Sequence, residues 1–184
     1  MEYIHYYHSP LGRMTMGSDG EALLGVWFDG QKYFGSTLSN GANIEETKNV
    51  FCDKKLFVFQ ETEKWLDLYF GGKAPNFTPR LNIKTTDFRK AIWEILLTIP
   101  YGKTMTYGEI AKKLAEQKGM KSMSAQAVGG AVGHNPFSLI IPCHRVVGAG
   151  GSMVGYAGGI DKKMRFLAME KKGFKERGGS NYVY

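Results

Sequence analysis

The hydrophobic pattern of this chain passes from strand-like to helical, and that change limits what it can fold into. In its first eighty residues short β-type apolar runs come first and a single helical stripe follows them. Residues 3–16 and 22–28 are rich in aromatics, Val and Met, and the turn signals Ser9-Pro10-Leu11-Gly12 and Ser18-Asp19-Gly20 punctuate them. Such punctuation reads as an antiparallel meander. Trp65, Leu66, Tyr69 and Phe70 then share one helical stripe, with Gly71-Gly72 placed to end the helix through a left-handed residue. Residues 73–80 hold Pro75 and Pro79 and show no periodicity, so they read as a linker.

From residue 83 onward the pattern is helical. Phe88, Ile92, Ile95 and Leu96 recur at i, i+4, i+7 and i+8 behind Thr86 and Asp87 as caps, and Pro100-Tyr101-Gly102 stops that helix. A second helix begins at Thr106, whose hydroxyl and Glu109 make a capping box, and turns Ile110, Ala111 and Leu114 inward before Gly119. A third carries Ala125, Val128, Gly129 and Val132 on one face and ends at Asn135-Pro136. Two short helices joined this way fit either a helix-turn-helix or a pair packed only for stability. The third helix has Gly129, Gly130 and Gly133 where each glycine costs about 1 kcal/mol of helix propensity. Close approach of another backbone, from a neighbouring helix or a nucleic acid, would explain that cost.

Charge separates the two parts further. Of the 24 basic and 17 acidic residues behind the net charge of +7, residues 1–82 hold 8 and 10, and residues 83–184 hold 16 and 7. A basic second half fits a polyanion partner, or a well-solvated surface. No stretch of the 184 residues is apolar for the length of a membrane span, and the first thirty contain no leader-like apolar core, so cytoplasmic residence without a membrane partner is expected. The two cysteines, Cys52 and Cys143, are far apart in sequence, have no metal-ligand spacing and suggest no disulfide framework.

Cys143 is the residue that demands chemistry. It lies in Pro142-Cys143-His144-Arg145, between the apolar runs 139–141 and 146–147. A cysteine in such surroundings can be a small buried hydrophobe. Burying His144 and Arg145 beside it would nevertheless be costly unless both were paired. A neighbouring basic group also favours the nucleophilic thiolate, which is then expected near neutrality.

Four segments in order, residues 99–107 (IPYGKTMTY), 127–136 (AVGGAVGHNP), 141–147 (IPCHRVV) and 155–159 (GYAGG), resemble the O6-alkylguanine-DNA alkyltransferases, also called methylated-DNA-protein-cysteine methyltransferases. The resemblance covers the second half specifically and the first only in its strand and helix pattern. It implies an α/β protein in which a small mixed domain, residues 1–80, with an antiparallel sheet and a helix, precedes a winged-helix-like helix-turn-helix domain, residues 83–184. It implies a suicide reaction: a monomer grips duplex DNA, flips out O6-alkylguanine, chiefly O6-methylguanine and also O4-methylthymine, and transfers the alkyl group irreversibly to Cys143. No cofactor is implied.

Residue roles follow from the same resemblance. Cys143 matches the acceptor, His144 the base acting through a water because side chains adjacent on an extended chain point apart, and Glu170 the group that orients the histidine. Asn135 matches the asparagine that fixes the turn near the cysteine, and Tyr107 the tyrosine that crowds the target phosphate and protonates the departing base. Tyr156, Gly158 and Gly159 resemble the loop covering the flipped base. Lys163 matches a pocket lysine, and Arg145 is expected to be mainly structural. Ala127 and Gly130 lie on the DNA-facing helix, and Gln126 stands where the family usually has an arginine finger. Glutamine can bond the orphaned partner base but lacks a stacking cation. The family's occasional zinc site finds no support, since Cys52 is isolated from His5 and His8 in sequence. Two other classes compete. A sensor that binds lesions without repairing them would lack the acceptor cysteine, and a thiol hydrolase would need an oxyanion hole and turnover.

Overall fold

The computed structural model describes residues 2–39, 44–46 and 56–176. Cys52 lies outside them. The chain divides into two compact units, Met1–Lys84 with Pro136–Ser138, and Thr85–Asn135 with Leu139–Tyr184.

In the first unit β1 (Glu2–Ser9), β2 (Gly12–Ser18), β3 (Leu23–Phe28) and the short β4 (Ile44–Glu46) form one sheet in the order β3-β2-β1-β4. The β1–β2 hairpin closes where Gly12 takes φ +120°, a conformation that suits a residue without Cβ. The register runs from Tyr3 opposite Ser18 to Ser9 opposite Gly12, and β2 continues antiparallel to β3, so the expected meander is present. β4 adds a parallel pairing with β1. Helix α1 (Phe57–Phe70) buries Val58, Phe59, Thr62, Trp65, Leu66 and Tyr69, the stripe its spacing dictates, and packs against β1 and β2. Gly72 supplies the left-handed residue after it, at φ +75°.

The expected linker is more engaged than its composition suggests. Leu23 N–H donates to the Arg80 carbonyl and Asn82 N–H to the Leu23 carbonyl, so its end pairs with β3. Further along the same strand, Val26 N–H donates to the Pro136 carbonyl and Ser138 N–H to the Val26 carbonyl. Two distant stretches of chain thus complete the edge of β3, which leaves fewer exposed backbone groups there.

The second unit contains α2 (Asp87–Leu97), β5 (Met105–Thr106), α3 (Tyr107–Gln117), α4 (Ala125–Gly133), β6 (Val146–Val147) and α5 (Ile160–Glu176). Each of the first three helices starts on a hydroxyl cap: Thr86 accepts from Arg89 N–H, Thr106 from Glu109 N–H, and Ser124 from Ala127 N–H. At α3 the capping box is complete, because Glu109 Oε2 accepts in return from Thr106 N–H at 2.7 Å. Ile92, Trp93, Ile95 and Leu96 of α2, Ile110, Ala111 and Leu114 of α3, and Val128, Ala131 and Val132 of α4 bury their apolar faces where these helices pack together. β5 and β6 pair in parallel, with Met105 opposite Val146. That pairing anchors the segment following the cysteine beside the start of α3.

The cysteine segment is not an extended strand. Leu139 is left-handed at φ +70°, a conformation that costs a branched residue about 1–2 kcal/mol, and Cys143–Arg145 form a single 3₁₀ turn before β6. The alternation expected for an extended Cys143-His144 pair is replaced by the tighter rotation of that turn.

Candidate active site

The 3₁₀ turn places three functional groups in the second unit's interior. Cys143 is 6% exposed and His144 is fully buried. The Cys143 amide donates to the Ile141 carbonyl at 2.7 Å, which tightens the bend that presents the thiol. Asn135, just beyond α4, then bridges the bend: its Nδ2 donates to the Ile141 carbonyl at 2.8 Å and to Cys143 Sγ at 3.2 Å. One amide group therefore fixes both the loop and the sulfur.

His144 faces α5. Its Nε2 lies 2.6 Å from Glu170 Oε1, and because a carboxylate only accepts, Nε2 carries the proton. In the neutral ring Nδ1 then holds the lone pair. Glu170 is itself fully buried and receives Arg145 Nε at 2.9 Å on Oε2, Arg145 Nη2 at 3.1 Å on Oε1, and the Gly102 amide at 3.0 Å on Oε2. Arg145 completes its bonding by donating Nη1 to the Ile99 carbonyl at 2.7 Å. Two buried charges are thus paired and hydrogen-bonded, the condition under which burial is tolerable.

These surroundings set the ionisation. Burial would raise the Glu170 carboxyl, but His144 and the Arg145 guanidinium hold it down at about 2. Burial pushes His144 below its ordinary value against the pull of Glu170, so the ring is neutral at pH 7. Arg145 therefore provides the lasting counter-charge to Glu170. Burial also raises the Cys143 thiol, opposed by the Asn135 hydrogen bond and the Lys163 charge. The thiolate expected near neutrality is accordingly corrected: desolvation outweighs the basic neighbours, and the resting group is the thiol.

Lys163 is buried on α5 and donates Nζ to the Val154 carbonyl at 2.7 Å and the Gly155 carbonyl at 3.2 Å, pinning the loop before Tyr156. Burial lowers its pKa, while Cys143 acts in the opposite direction. Tyr107, at the first turn of α3, is half-buried, and burial and Cys143 both raise its phenol. A Cβ at Gly155 would come 4.0 Å from its hydroxyl. Tyr156 is half-buried with its ring edge-on to Phe166 at 6.1 Å, and Phe166 in turn meets His144 at 5.5 Å. Gly158 and Gly159 follow, Gly159 at φ +92°.

Gln126, Ala127 and Gly130 stand apart from this cluster, exposed on the outer face of α4. A methyl group built at Gly130 or Gly133 would find no other atom within 4 Å among the described residues, so no neighbouring helix accounts for those glycines. Sequence reasoning missed the turn at 99–102, reading it only as a helix stop, although it supplies a carbonyl to Arg145 and an amide to Glu170. Phe166 was also missed. Its available signal was the i, i+4 spacing to Glu170 on one helix.

A buried thiol bonded by the asparagine that follows α4, with an ion-paired histidine next in the chain, defines a class by its architecture: helix-turn-helix domains built around a buried cysteine. Residues 87–172 match the family described as 6-O-methylguanine DNA methyltransferase, DNA binding domain, and residues 3–83 match its ribonuclease-like domain. The methylated-DNA--protein-cysteine methyltransferase of Mycolicibacterium paratuberculosis is 46% identical over 89% of this chain and 89% of its own. That of Haemophilus influenzae is 36% identical over 97% and 92%. The crystal structure of Mycobacterium tuberculosis OGT in complex with DNA is similar at a TM-score of 0.76, with 34% identity over 93% of this chain and 94% of that one. The chain belongs to the methylated-DNA–protein-cysteine methyltransferase family.

Proposed function

We propose that Cys143 removes the alkyl group from O6-alkylguanine in double-stranded DNA, chiefly O6-methylguanine and also O4-methylthymine, and retains it in a single turnover. The observation carrying this reading is the Asn135 amide on Cys143 Sγ, with the neutral His144 next in the chain held by Glu170. In-line attack forms the S–C bond as the C–O6 bond breaks, and the guanine leaves with the electron pair. His144 takes the thiol proton through a water, and Tyr107 gives a proton to the departing base. Asn135 and Lys163 lie where they favour the developing thiolate. Arg145 keeps Glu170 ionised, and through it keeps the histidine oriented. An alkyl thioether is stable, so each molecule repairs one lesion.

The target base is flipped into the pocket beside Tyr156, Gly158 and Gly159. The open glycines of α4 support an approaching nucleic-acid backbone: Ala127 and Gly130 allow contact, and Gln126 enters the gap left by the base. The protein acts as a monomer in the cytoplasm. Among the described residues, no helix is long and apolar enough to cross a membrane.

Incubation with one equivalent of an oligonucleotide containing O6-methylguanine, followed by peptide mass mapping, tests the reading. One added CH₂ on Cys143 is expected. Addition at Cys52, or repeated turnover, overturns it.

A further inference from the structure

Trp93 lies on α2, outside the four motif segments at 99–107, 127–136, 141–147 and 155–159, and is 2% exposed. Its indole Nε1–H donates to the Ala131 carbonyl at 2.9 Å. Ala131 belongs to the last turn of α4, and its carbonyl would ordinarily accept the amide four residues on, that of Asn135. Asn135 N–H instead donates to the Val132 carbonyl at 3.3 Å, a tighter i to i+3 bond. The chain leaves α4 before Asn135, whose side chain reaches the Ile141 carbonyl and the sulfur. Pro136 acts in the same direction, because a residue preceding proline is disfavoured in the α conformation. The indole satisfies a carbonyl at the helix end that would otherwise lack its i+4 amide, so the early exit of the chain leaves no unpaired acceptor at Ala131.

We infer that Trp93 is a positioning residue for the acceptor thiol: by engaging the Ala131 carbonyl it ends α4 where Asn135 can bond Cys143. It touches neither sulfur nor substrate. The inference rests on the proposed alkyl transfer for its biological meaning, but the geometry it predicts is measurable on the thiol alone. Without the indole donor, Asn135 N–H competes for Ala131, α4 lengthens, and the side-chain amide withdraws from the sulfur. The other charged group that acts on Sγ, Lys163 on α5, is held by the Val154 and Gly155 carbonyls and not by this bond.

Trp93→Phe keeps a ring in the slot and deletes the donor. Two quantities should be read on the full chain: the pH midpoint of Cys143 carboxamidomethylation by iodoacetamide, followed by peptide mass, and the transfer rate from the alkylated oligonucleotide. The midpoint should rise by roughly half a pH unit, because a hydrogen bond favouring the thiolate is weakened. Transfer should slow roughly three- to tenfold. In an Asn135→Ala background the same substitution should move the midpoint by less than about 0.1 unit, since the path runs through Asn135. An unchanged midpoint, or an equal shift in both backgrounds, overturns the inference. Should Trp93→Phe fail to fold, β-(3-benzothienyl)alanine at position 93 replaces the N–H with sulfur at nearly constant shape and is held to the same criteria. If unsubstituted protein transfers no alkyl group, the proposed function fails, while the thiol midpoint still decides the role of Trp93.

Discussion

Burial acts on Cys143 and His144 in opposite directions, raising the thiol and lowering the imidazole, so at rest both are uncharged. A proton must therefore move during the reaction, and it moves uphill unless the forming S–C bond draws it. This predicts the shape of the pH profile. A base with a lowered pKa stays neutral, and competent, until the solution is more acidic than the ordinary histidine value. The transfer rate should hold steady from pH 7 down to roughly 6.5 and decline only below it; single-turnover rates across pH 5–8 would contradict the assignment if the decline began above that point. Replacement of the sulfur gives a sharper result. Cys143→Ser should abolish transfer while leaving DNA affinity, measured by fluorescence anisotropy, within about twofold, because the outer face of α4 is untouched.

Local chemistry explains which elements were legible in the sequence. The Thr106–Glu109 box involves residues three apart, and both reciprocal bonds form as their spacing requires. Thr106→Ala should accordingly cost about 1 kcal/mol in chemical denaturation. The α4 glycines were visible too, and of the two partners their composition allows, a neighbouring helix is absent at Gly130 and Gly133 among the described residues. Gln126→Arg should speed reaction on duplex DNA more than on free alkylguanine, and equal acceleration of both would refute a role in flipping. What the sequence concealed depends on distant partners. The bend at Cys143 is fixed by Asn135 and a left-handed Leu139, and no alternation of apolar residues encodes either contact. The 99–102 turn works through its backbone, bonding residues 46 and 68 positions away, and backbone atoms leave no mark on side-chain pattern. The linker misled for the same reason. Its prolines were visible, but the β3 edge that receives its end was not.

At the scale of the whole molecule, the buried carboxylate links stability to acidity. Glu170 is held at about 2 when folded, against an ordinary carboxylate value near 4.5 when unfolded. Between those values the unfolded chain binds a proton that the folded one does not. Its contribution is therefore complete above pH 4.5 and is lost progressively as pH falls toward 2. Melting temperatures should drop across that window, and Glu170→Gln should flatten this part of the curve while lowering it throughout, because Arg145 then lacks its charged partner.

The division of the chain has a topological consequence. The first unit ends at Lys84, yet it also owns Pro136–Ser138, which close the edge of β3. A single nick after Lys84 would therefore not liberate two independent pieces. The amino-terminal fragment would still need a tripeptide carried by the other, so on its own it should melt at a lower temperature than the same unit in the intact chain. Nature has laced this protein rather than merely joined it end to end.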